Sequence, residues 1–88
     1  MKVTLLQAEK IIAAHTDLIG SYYLMPDGDE MKIQEFRVLA VPTGKNKEIY
    51  YSVIALVQTP DKSNGVQLFA SFENIIAQLE VPFDVKKY

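Results

Sequence analysis

Along the first turns of the chain an apolar position recurs every three or four residues. Leu5, Ala8, Ile11, Ile12 and His15 fall on one side of a helical wheel, while Gln7, Glu9 and Lys10 fall on the other. Thr4 followed by Gln7 has the spacing of a capping box, in which the hydroxyl and the amide each satisfy a backbone donor that the first helical turn leaves free. A first helix over residues 5 to 15 is predicted. The period then drops. Residues 18 to 25 bring Leu, Ile, Tyr, Tyr and Leu and stop at Pro26-Asp27-Gly28, where Pro presets one turn angle and Gly accepts the left-handed one. Ile33 to Val41 and Ile49 to Gln58 read as the next two strands, joined by the polar loop Pro42 to Lys47. Thr59 to Gly65 is a loop and Val66 to Ala70 a fourth strand. Helical spacing returns at Phe72, Ile75, Ile76 and Leu79, with Ser71 as cap, Glu73 in the first turn and Pro82 as the stop.

Short connections between successive strands favour an antiparallel meander. The predicted fold is α+β: one domain over residues 1 to 88, a four-stranded antiparallel meander sheet with an N-terminal and a C-terminal helix packed on one face. Register decides which side chains share a face, because a slip of one residue exchanges them. Pairing Val41 with Ile49, Leu56 with Leu68 and Met25 with Met31 places Tyr22, Leu24, Phe36, Val38, Ala40, Tyr50, Ile54, Leu56, Val66, Leu68 and Ala70 under the helices. The other face then carries Ile19, Tyr23, Ile33, Glu35, Arg37, Leu39, Val41, Ile49, Tyr51, Val53, Val57, Gln67 and Phe69. That second face is too apolar for a solvated sheet surface and calls for a cover that two short helices cannot supply.

Composition sharpens this picture. An 88-residue chain buries a modest share of its surface, so small domains of this size lean on disulfides, metals or association. The sequence has no cysteine and a single histidine, which removes disulfides, thiolate sites and multi-histidine metal sites. No cofactor is expected. The formal net charge of −2 gives no overall attraction to nucleic acid or to an anionic membrane. The longest apolar run, Val53 to Val57, is too short to cross a bilayer, and Gln7, Glu9 and Lys10 interrupt the signal-like start, so a cytoplasmic location is the expectation.

Chemical motifs are sparse. Asp27-Gly28-Asp29-Glu30 gathers three carboxylates, but without the alternating spacing of a calcium loop it reads as a hairpin turn. His15-Thr16-Asp17 pairs an imidazole with a carboxylate, yet no nucleophile is marked out beside it, and a histidine near a helix C-terminus has an electrostatic reason to be there. Gly44-Lys45 lacks the first Gly and the Ser or Thr of a phosphate loop. The pairs Tyr22-Tyr23 and Tyr50-Tyr51 suggest base stacking, but neighbours on a strand point to opposite faces, and Lys45, Lys47, Lys62, Lys86 and Lys87 do not gather around them.

The sequence therefore predicts a non-enzymatic protein-protein interaction module with no evident small-molecule substrate. Its interface is expected at Ile33, Glu35, Arg37, Leu39, Tyr51, Val53 and Phe69, with a second copy of the chain as the simplest partner. Glu35 and Arg37, two apart on one strand, are expected to be an interface ion pair. Two other classes remain open: a small inhibitor of a host factor, as phage or mobile elements encode, and a single-strand nucleic-acid binder.

Overall fold

The structure, a computed structural model, describes residues 1–44, 48–60 and 65–88. Helix α1 (Leu5–Ala14) is followed by strands β1 (Tyr22–Leu24), β2 (Glu30–Pro42), β3 (Ile49–Gln58) and β4 (Gln67–Ser71), then helix α2 (Phe72–Gln78). The strands form one antiparallel sheet in the order β1-β2-β3-β4, so the α+β meander is as the sequence predicts. The expected loops at 42–47 and 59–65 lie partly outside the described residues.

Local chemistry sets the ends of these elements. The capping box forms: Gln7 N–H donates to Thr4 Oγ1 at 3.1 Å and Thr4 N–H to Gln7 Oε1 at 2.9 Å. Between β1 and β2, Gly28 adopts φ 95°, its N–H donates to the Met25 carbonyl at 2.9 Å, and Met25 N–H donates to the Asp29 carbonyl at 2.8 Å. Asp27 Oδ1 accepts from Asp29 N–H at 3.0 Å, which assigns that carboxylate to the turn. Ser71 caps α2 by accepting from Asn74 N–H at 3.1 Å.

Pro82 is not what stops α2. The helix ends four residues earlier, where Glu80 takes a left-handed φ of 55°, Val81 N–H donates to the Ile76 carbonyl at 2.9 Å and Glu80 N–H to that of Ala77 at 3.3 Å. This is a Schellman cap with a glutamate where glycine usually stands, and it sets a carboxylate at the negative end of the helix dipole. Replacing Glu80 by Gly is expected to stabilise the fold by about 0.5–1 kcal/mol, the relief of the left-handed Cβ exceeding the entropy that glycine adds to the unfolded chain. A higher urea midpoint checks this; a lower one would mean that the glutamate side chain earns its place.

Both helices lie on one face of the sheet. Val3 exchanges two backbone hydrogen bonds with Tyr51, each 2.9 Å, so the chain enters α1 from the outer edge of β3. Helix α1 crosses β3 and β2 and delivers the chain to Gly20 and Ser21, which bond to Ile33 beside β1. Helix α2 packs on β4, β3 and β1. At its end the Gln78 carboxamide clasps Leu24, its Oε1 accepting from Leu24 N–H at 2.6 Å and its Nε2 donating to the Leu24 carbonyl. That amide occupies backbone groups at the outer edge of the sheet, a site where an unpaired strand invites foreign pairing.

The core under the helices contains Val3, Ala8, Ile11, Tyr23, Met31, Ile33, Phe36, Val53, Ala55, Val57, Ala70, Phe72, Ile75 and Ile76. The predicted stripe of α2 is thus confirmed at Phe72, Ile75 and Ile76, with Leu79 half-buried; in α1, Leu5 is exposed and Ala8, Ile11 and His15 are buried.

The register differs from the predicted one, and a single residue explains most of the difference. Ile33 pairs with Val57, in line with the predicted β2–β3 alignment, but a bulge between Ile33 and Glu35 shifts the ladder, so that Val41 meets Tyr50 and Pro42 meets Ile49. In β4, Phe69 rather than Leu68 meets Leu56, and in β1 Tyr23 rather than Met25 meets Met31. Every side chain of β3 consequently lies on the face opposite to the predicted one.

Candidate functional site

The face away from the helices has no element over it among the described residues. Cross-strand partners share a face, so the ladder defines its membership. It carries Tyr22 and Leu24 from β1, Glu35, Arg37, Leu39 and Val41 from β2, Tyr50, Ile54 and Leu56 from β3, and Phe69 from β4. Phe69 is 58% exposed, Leu24 52% and Leu39 48%, whereas Ile54 and Leu56 are half-buried by their neighbours.

Four of the seven predicted interface residues lie here: Glu35, Arg37, Leu39 and Phe69. Three do not. Ile33 and Val53 are in the core beneath the helices, and Tyr51 is half-buried on that same side with its backbone paired to Val3. The bulge accounts for this split: it turns the second half of β2 relative to the first, leaving Glu35, Arg37 and Leu39 on the open face while Ile33 points inward. Sequence reasoning missed Tyr22, Leu24, Tyr50, Ile54 and Leu56. The signal for the last three was present in β3, where the polar Ser52 and Gln58 share the parity of Tyr50, Ile54 and Leu56 and so mark that side as the solvated one.

At the centre of the face Arg37 Nε–H donates to Glu35 Oε1 at 2.7 Å, an ion pair within the chain. The guanidinium also stands 5.9 Å from the centroid of the Phe69 ring. Near the far end of β3, the Lys2 ammonium lies 5.9 Å from the Tyr50 ring, whose hydroxyl donates to Glu48 Oε2 at 3.0 Å. That hydrogen bond, reinforced by the carboxylate charge, raises the Tyr50 pKa above its ordinary value. Glu30 meets Leu24, and Lys32 meets Tyr22. Among the described residues, Arg37 and Glu35 are the pair of opposite charges in contact on this face.

The other sequence candidates resolve locally. His15 is buried at the C-cap of α1, its Nδ1–H donating to the Ile11 carbonyl at 2.6 Å, with ring centroids of Phe72, Phe83 and Tyr88 at 5.0, 5.9 and 6.1 Å. Asp17 forms no hydrogen bond to it, so the two do not make a catalytic dyad. No cluster of three or more metal-ligating side chains occurs among the described residues, and none of their helices is long and apolar enough to cross a membrane. Lys45, Lys47 and Lys62 lie outside the described residues.

No family model, no curated protein and no solved structure matches this chain.

Proposed function

We propose that this chain is a non-enzymatic protein-binding module that docks through the open sheet face, and that the partner is a second copy of itself. The carrying observation is that both helices sit on one side while the other side exposes Leu24, Leu39, Tyr50, Phe69 and Tyr22 around a single ion pair. One further observation favours a self-partner: Glu35 and Arg37 lie together on the face, and a two-fold axis can bring Glu35 of one copy to Arg37 of the other. Single-stranded nucleic acid fits this face less well, since Lys32 and Arg37 are balanced in number by Glu30 and Glu35 and the face has no net attraction for phosphates.

Phe69 is the expected anchor, because large aromatic side chains dominate interface energetics. Light scattering of wild type is expected to give twice the 9.9 kDa chain mass, and Phe69→Glu to give a monomer with unchanged circular dichroism. A wild type that stays monomeric at about 100 μM, well above the Kd of ordinary stable dimers, rejects the reading.

A further inference from the structure

At the β1 end of the sheet lies a hollow of about 340 Å³, lined by Tyr22, Lys32, Gln34, Gln58, Thr59 and Pro60. Its size is within the range of small-molecule sites. The chemistry of its lining is one-sided. Among the described residues Lys32 makes no ion pair and no carboxylate lines the hollow. Gln58 Oε1 accepts from Gln67 Nε2 at 3.4 Å, which turns the donor end of the Gln58 amide away from that contact. Gln34, the residue at the β2 irregularity between Ile33 and Glu35, adds a second amide. Bulges are a recurrent means of re-aiming a side chain beside a binding site. The Tyr22 ring and Pro60 complete the wall with apolar surface.

We propose that this hollow binds a small organic monocarboxylate with a planar apolar body. One ammonium backed by neutral amide donors balances one negative charge, and a carboxylate accepts from several such donors at once. A phosphate monoester, close to −2 at neutral pH, exceeds the single positive charge of the described lining. The planar body lies against Tyr22, as flat rings do on aromatic faces. Tyr22 and Lys32 also border the open face, but the assignment rests on the lining of the hollow and not on the docking role of that face.

The test is titration of the ¹⁵N-labelled full chain with sodium benzoate at constant ionic strength, with benzamide and phenyl phosphate as parallel probes. Benzoate is expected to shift the amides of Tyr22, Lys32, Gln34 and Gln58 together, with a Kd on the order of 1–10 mM, the range open to a ligand this small. Benzamide, equal in shape but neutral, is expected to bind at least about tenfold more weakly, and Lys32→Gln to weaken benzoate by a similar factor while keeping the wild-type spectrum elsewhere. Lys32 is exposed, so this variant leaves the core intact. Equal binding of benzamide, undiminished binding by Lys32→Gln, tighter binding of phenyl phosphate, or no saturable shift at about 50 mM benzoate would each overturn the assignment.

Discussion

Replacing Phe72 by Ala is expected to cost about 3–5 kcal/mol, the usual toll for truncating a fully buried phenylalanine. Phe72 is fully buried at the start of α2. Its ring meets Phe36 of β2 edge-on at 5.7 Å, His15 at the end of α1 at 5.0 Å and Phe83 of the C-terminal segment at 5.2 Å. The side chain therefore joins sheet, both helices and tail, and no single neighbour can relax into the space it leaves. A domain of 88 residues has a total stability of about 4–13 kcal/mol, so the variant gives up a large share of it and unfolds outright at 25 °C if the wild type lies at the low end. Urea unfolding followed by circular dichroism measures the loss, with Leu6→Ala, at a position 60% exposed, as a control expected to change stability by less than about 0.5 kcal/mol. A loss below about 1 kcal/mol at Phe72 would place α2 elsewhere than on the sheet.

The reasons this ring lies where it does were readable before the structure, whereas the faces of the sheet were only partly so. The helix stripes rest on a period of 3.6 that tolerates small errors, and Thr4, Ser71 and Gly28 each mark an element end by a specific hydrogen bond or backbone angle. Strand faces have a period of two, and one extra residue inverts everything beyond it. In β2 the inward residues Met31, Ile33, Phe36 and Val38 advance by two, three and two, and the step of three is the bulge itself. Omitting Gln34 from the count restores strict alternation. That irregularity was legible, but β3 masked its meaning: Tyr50, Tyr51, Val53, Ile54, Ala55, Leu56 and Val57 are apolar on both faces, so Ser52 and Gln58 alone supply parity there. The same two-sided apolarity that hid the register is what produces an uncovered face. Its existence followed from the sequence; its membership needed the ladder.

Two adjacent substitutions in β3 separate the faces. Val53 is 1% exposed under the helices and pairs with Val38, whereas Ile54 projects from the open face and pairs with Arg37 and Ser71. Val53→Asp would bury a carboxylate in the apolar cluster to which Ile11, Phe36 and Ala55 also belong, side chains with neither a cation nor a donor. Leaving such a charge unpaired costs at least about 3–5 kcal/mol, or forces the group to take up a proton. The variant is expected to be unfolded at neutral pH, with collapsed amide dispersion. Ile54→Asp instead places its carboxylate at a half-exposed position next to the Arg37 guanidinium, where water and a cation both reach it. It is expected to keep the fold, with a loss of about 1–2 kcal/mol from the apolar area given up. Its self-association should fall with that of Phe69→Glu, because a charge at the centre of an apolar interface must be desolvated for two copies to meet. The reverse pattern, a folded Val53→Asp beside an unfolded Ile54→Asp, would mean that the helices cover the other face. A folded Ile54→Asp that dimerises as tightly as wild type would keep this register but remove the centre of the open face from the interface.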